Sequence, residues 1–201
     1  KTSGQALRII YGSSGNFMRQ IQQGAPFHLF ISADEGFPLA LSKEGRTIDE
    51  GKVYAVGRLA LIAHKSRNIK LSLKDSDFKH LIGSANKIAL AKPDVAPYGR
   101  AALEYLTNSK VLDIASEKFV FAENVSAATQ YVTTGAAQIG FTAYSLATSQ
   151  EVISSLDYLL IPDHLHKPIR QRMVLIKNAP QSAKDFYAYL QGKQAKDIIR
   201  S

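Results

Sequence analysis

Apolar positions along this chain follow two spacings. Short continuous apolar runs, bounded by Gly, Pro, Asp or Ser, fall at residues 7–11, 29–32, 59–63, 87–91, 119–122, 139–142, 158–161 and 173–176, and each predicts a strand. Between several of them, apolar residues recur three or four positions apart, as in Phe17 with Ile21 and in Val125, Ala128 and Val132. That spacing marks one face of a helix. Alternating strands and helices, with strands apolar throughout, predict an α/β fold with largely parallel sheets covered by helices. Residues 183–199 predict a helical region interrupted at Gly192, with Phe186, Leu190, Ile198 and Ile199 as its apolar side. The opening Lys1 to Gly4 reads as the tail of a helix ended by a glycine stop, so the chain is expected to be trimmed from a longer one.

Length and composition narrow the picture. The 201 residues allow one large domain or two small ones. No repeat or linker tract is visible, so two domains would not be simple beads on a string. Hydrophobic residues make up 45% and charged residues 21%, a globular balance, and no apolar run approaches the ~18 residues of a membrane span. With no cysteine, a disulfide framework, a thiolate zinc site, an iron–sulfur cluster and a cysteine nucleophile are all excluded. The 25 Lys and Arg outnumber the 17 Asp and Glu, but they are scattered and not interleaved with aromatics. This predicts a solvated basic surface and no nucleic-acid partner.

Signatures of catalysis are missing: there is no Walker loop, no G-x-G-x-x-G after a strand, no H-E-x-x-H and no G-x-S-x-G elbow. His164-Leu165-His166 would present two imidazoles to a metal on a strand, yet Pro162 and Pro168 beside it predict a loop. What recurs is a strand, a turn of small residues and a helix start. Gly12-Ser13-Ser14-Gly15 leads into a helix carrying Phe17 and Ile21 and stopped by Gly24. Pro97-Tyr98-Gly99 opens the helix after the 87–91 strand, and Asn124-Val125-Ser126 opens the one after 119–122. Each turn exposes first-turn N–H groups at the positive end of a helix, a setting that favours an anion. Each also has an ordinary reading: Ser13 or Ser14 as a mere cap, a proline-started helix, an Asn-capped helix.

At these residues the chain resembles the periplasmic molybdate-binding proteins of molybdate ABC transporters. The match runs through SSGNFMRQIQQGAPFHLFISAD (13–34), Tyr54-Ala55 before a strand, ALAKPDVAPYGRAALEYL (89–106), AENVSAA (122–128), TTGAAQIGFTAYS (133–145) and the Phe186 to Leu190 helix. The resemblance implies a type II periplasmic-binding-protein fold: two lobes, each a mainly parallel sheet flanked by helices, with the ligand in the interlobe cleft. It places the first lobe at 1–56 and 168–201 and the second at 57–167. It implies an oxyanion, molybdate or tungstate, held by hydroxyl and main-chain N–H donors. These are Ser14 with Ser13 beside it, the Tyr98 N–H and the Val125 N–H. A further tyrosine hydroxyl, used in some relatives, falls at Ala143 here, with Tyr144 one residue on. His28 stands where an aspartate is common and is not expected to be a ligand. The resemblance also implies a first strand, a hydroxyl-bearing turn and a long helix, roughly 20–25 residues, which are expected to be missing ahead of Lys1.

The function implied is that of a monomeric solute receptor, periplasmic or lipid-anchored, delivering its anion to an ABC transporter permease. It implies no enzymatic chemistry, no cofactor and no direct protein–metal bond, because molybdenum is bound as its oxyanion. The competing expectation is a ligand-sensing domain of the same fold for sulfate, chromate or a carboxylate. That reading would need a DNA-binding module, which is not expected within residues 1–201.

Overall fold

The computed structural model describes Gly4 and residues 6–200. The chain divides into two compact units, Lys1–Val56 with Arg170–Ser201, and Gly57–Ile169. Along the first unit come α1 (Ser14–Gln22), β1 (Leu29–Ser32), α2 (Gly36–Lys43) and β2 (Lys52–Gly57). The second carries β3 (Leu59–His64), α3 (Asp75–Ser84), β4 (Ile88–Ala91), α4 (Pro97–Asn108), α5 (Leu112–Ser116), β5 (Phe119–Ala122), α6 (Val125–Thr133), β6 (Ile139–Ala143), α7 (Tyr144–Ala147) and β7 (Leu156–Leu160). The chain then returns through β8 (Ile169–Leu175) to α8 (Gln181–Leu190) and α9 (Lys193–Arg200).

In the first unit a three-stranded sheet has the order β1-β8-β2. Side-chain alternation on β1 and β8 divides its two faces. Phe30 and Val174 point to a cluster with Ile21, Leu41 and the half-buried Phe17 and Phe37, contributed by α1 and α2. Met173 and Leu175 point the other way, onto Tyr187 and Leu190 of α8. The pairing of β1 with β8 is antiparallel, Leu29 opposite Leu175 and Ser32 opposite Arg172. The expected mainly parallel arrangement is therefore not what this pair adopts.

The strand expected at 7–11 does not form. Residues 6–13 carry no regular structure, and Leu7, Ile9, Ile10 and Tyr11 are exposed, Tyr11 at 87%. An apolar run becomes a strand only where a neighbour accepts its N–H and C=O groups, and no strand of the described residues pairs with this one. Tyr54 and Ala55 precede the strand expected at 59–63, which forms as β3, and themselves lie in a further strand, β2, that the pattern did not predict. The helix tail expected over Lys1 to Gly4 lies outside the described residues except for Gly4. The C-terminal helix does break at Gly192, between α8 and α9. In α8 the buried residue is Tyr187 rather than Phe186, and in α9 Ala195 is buried while Ile198 is exposed.

The second unit holds a five-stranded sheet, β5-β4-β6-β3-β7. β4 is parallel to β5 and to β6, whereas β3 runs antiparallel to β6 and β7. Four of the five strands thus share one direction. Residues 59–63 of β3 are fully enclosed, as continuous apolar strands covered on both faces should be. Phe78, Tyr105 and Phe141 form an aromatic chain between α3, α4 and β6, with ring centroids 5.1 and 6.0 Å apart. On the other side, small residues such as Ala60, Ala89 and Ala122 let α6 settle on the sheet through Ala128 and Val132.

Candidate functional site

Ser13 and Ser14 open α1. Ser13 takes the extended backbone of an N-cap, φ −78° and ψ 142°, but its hydroxyl makes no capping bond. The two serines are 3% and 6% exposed. Ser14 Oγ accepts the Ala33 N–H at 3.0 Å, which ties the start of α1 to the residue following β1. Neither serine is therefore a simple cap. Ser13 Oγ is enclosed and has no hydrogen-bond partner, a rare state for a buried polar atom. Ser14 has spent acceptor capacity on Ala33, so its own proton is available for donation. The first turn of α1 carries no acidic residue that would offset the positive end of the helix.

In the second unit, α4, α6 and α7 follow the carboxyl ends of β4, β5 and β6, three neighbouring parallel strands. Tyr98, Val125 and Tyr144 therefore stand along one edge of one sheet. Pro97 sets the first position of α4, and Tyr98 behind it is buried. Gly99 lets this turn press onto the end of β4, because a Cβ at that position would sit 2.0 Å from the Ala91 carbonyl oxygen. On α6, the Asn124 side chain accepts the Ala127 N–H at 2.9 Å. The Val125 and Ser126 N–H groups in front of it have no acceptor among the described residues. Neither helix carries an acidic residue in its first turn. Tyr144 differs from the other two. Its N–H donates to the Arg58 carbonyl at 2.8 Å, and its ring packs edge-on against Tyr158, 5.8 Å between centroids. Only its hydroxyl is left to serve a ligand.

Charged groups lie close to these turns. Arg100, in the first turn of α4, donates to the Pro93 carbonyl at 3.4 Å. Burial pushes its pKa down, and the Glu104 charge opposes this. In the first unit, Glu35 is held by Arg170 Nε at 2.9 Å and Arg172 Nη2 at 3.2 Å. Partial burial works to raise the Glu35 pKa, but the hydrogen bonds and charges of the two arginines win and hold it below its ordinary value. Sequence reasoning missed this cluster because the strand expected at 173–176 stopped short of Arg170 and Arg172, which share a face once β8 begins at Ile169.

His164 is exposed and His166 is buried, with Nδ1 2.8 Å from the Lys167 carbonyl, so the two rings do not face one metal. Among the described residues no group of three or more His, Cys, Asp or Glu is placed to hold a metal ion. His28 is exposed. Two cavities of the second unit, about 450 Å³ beside Ile69 and Tyr158 and about 340 Å³ beside His64 and Thr133, include none of the candidate residues. Among the described residues, no helix is long and apolar enough to cross a membrane.

Comparison with known proteins gives these turns a context. The family described as bacterial extracellular solute-binding protein matches residues 1–201. The molybdate-binding protein ModA of Rhodobacter capsulatus is 34% identical over 98% of this chain and 77% of its own length. ModA of Azotobacter vinelandii is 33% identical over the whole chain and 79% of its own length. The solved structure of the periplasmic molybdate-binding protein of Azotobacter vinelandii superposes with a TM-score of 0.85 at 30% identity, covering 99% of this chain and 87% of that one.

Proposed function

The chain belongs to the bacterial extracellular solute-binding protein family, and from that premise we propose that it is a receptor for a tetrahedral oxyanion, molybdate or tungstate. The observation that carries this reading is the buried Ser13 hydroxyl without a partner, next to a Ser14 hydroxyl with a proton to give. Both suit a ligand that only accepts hydrogen bonds. The proposed ligand set is Ser13 and Ser14 from the first unit and the Tyr98 and Val125 N–H groups from the second. Tyr144 takes part only if its hydroxyl reaches the anion.

We read the two units as the two lobes of the family fold. Each hydrogen bond to an ionised acceptor is worth roughly 1.5–3 kcal/mol, so several together offset dehydration of a dianion. No covalent step is involved, and the protein is not an enzyme. It works as a monomer outside the cytoplasm, free in the periplasm or lipid-anchored, without a resident cofactor, and hands its cargo to an ABC transporter permease. Resemblance to molybdate-binding relatives supports the choice of cargo.

Dianions of equal charge differ in size, so fixed donors select by cavity dimensions. Titration calorimetry with the purified protein is expected to give molybdate and tungstate at least about tenfold tighter than sulfate, a difference of about 1.4 kcal/mol. Sulfate binding as tightly as molybdate would overturn the size argument.

A further inference from the structure

We propose that Glu35 is a positioning residue for oxyanion binding: gripped by Arg170 and Arg172, it fixes residues 32–35 so that the Ala33 N–H occupies the acceptor side of Ser14 Oγ and turns the Ser14 proton to the ligand. This rests on the receptor function proposed above and extends it to residues that touch no anion.

Only three residues, 33–35, join the end of β1 to the start of α2, and they are tied at every step. Ser32 Oγ accepts the Asp34 N–H at 3.2 Å, and Asp34 Oδ1 accepts the Phe37 N–H at 3.1 Å. Tyr54 donates to the Ser32 carbonyl at 3.4 Å. The Ala33 N–H is the group that points away to Ser14, at 3.0 Å. Beyond it, Glu35 is bound through both carboxylate oxygens, Oε1 to Arg170 and Oε2 to Arg172.

The anchor on the far side is firm. Arg172 lies opposite Ser32 in the strand pairing, and its side chain is only 15% exposed. Its Nη1 also donates to the Glu50 and Gly51 carbonyls, at 3.0 and 3.2 Å. Glu35 thus docks on a guanidinium already fixed by the main chain of its own unit. This separates it from an ordinary exposed pair such as Glu44 with Arg46, both about two-fifths exposed, which is worth little.

A hydroxyl that accepts a hydrogen bond becomes a better and better-aimed donor, because bonds in a chain polarise one another. The effect of Glu35 on the ligand should therefore pass through Ser14. Non-additivity is its signature.

The test is a double-mutant cycle read by molybdate calorimetry on the wild type, E35Q, S14A and E35Q/S14A, with E44Q as the charge-matched control. E35Q is expected to weaken molybdate about tenfold in the wild-type background and hardly at all in S14A, within the range of couplings inside one hydrogen-bond network. E44Q should leave affinity unchanged. Hydrogen exchange of the Ala33 amide in the ligand-free protein gives a readout independent of binding, and it should quicken in E35Q. An equal loss in both backgrounds, or unchanged Ala33 exchange, overturns the positioning role. A wild type that binds no oxyanion overturns the receptor reading instead, and Ala33 exchange still judges the clamp. Should E35Q fail to fold, R170Q, which keeps the Arg172 contact, takes its place in the cycle with the same expectations.

Discussion

Two adjacent serines at the start of α1 hold different hydrogen-bond positions, and their alanine variants should behave differently. Ser13 Oγ is buried without a hydrogen-bond partner in the protein. Deleting it removes an unsatisfied group, so S13A should leave the ligand-free melting temperature unchanged or raise it. The same change removes a donor to the anion and should weaken molybdate by about ten- to a hundredfold, the worth of one hydrogen bond to a charged acceptor. Ser14 Oγ accepts the Ala33 N–H, so S14A should lower both stability and affinity. Calorimetry and thermal melts of the two variants check this, and a matching loss of stability in both would refute the division of roles. The pair itself was legible in the sequence, because two hydroxyls at a helix start suit an anion. Which one is engaged was not legible, since the partner of Ser14 lies nineteen residues away, at the end of another element. Tyr144 shows the same limit: the sequence offers only its hydroxyl, and the bond from its N–H to the Arg58 carbonyl could not be read from local spacing.

Elements were readable where local pattern and tertiary surroundings agree. β1 and β5 form over the residues expected, because an apolar run at those positions finds a neighbouring strand. Residues 7–11 have the same pattern without such a neighbour and stay irregular. β2 is the converse: Lys52–Gly57 mixes charged, small and apolar residues, is only partly buried, and is a strand because β8 lies beside it. The placement of α4 depends on a single missing side chain. Gly99 sits in helical backbone, but a Cβ there would overlap the Ala91 carbonyl. G99A must push the first turn of α4 away from β4, and such overpacking costs about 1–3 kcal/mol. The expected result is a lower urea midpoint together with weaker molybdate binding, because the Tyr98 N–H moves with the turn. Unchanged stability and affinity would show that the close approach is dispensable.

At the scale of the whole molecule, the basic excess and the choice of ligand separate. The net charge of +8 comes from residues spread along the entire chain, whereas the proposed donors are hydroxyls and main-chain N–H groups without formal charge. If the scattered cations held the anion, binding would be long-range electrostatics, and salt would weaken it steeply once the screening length falls to about 3 Å near 1 M. If oriented neutral donors hold it, most of the binding free energy comes from contacts shorter than that length, and salt reaches them little. Arg100 is the formal cation built into one of the helix starts, and its guanidinium is already engaged by the Pro93 carbonyl. The expected outcome is that the molybdate dissociation constant changes by less than about threefold between low salt and 0.5 M sodium chloride, with the association rate falling more than the affinity. Calorimetry and stopped-flow fluorescence across that range measure the two quantities separately. A dissociation constant that rises in step with ionic strength would return the anion to the basic surface and remove the neutral helix starts from the site.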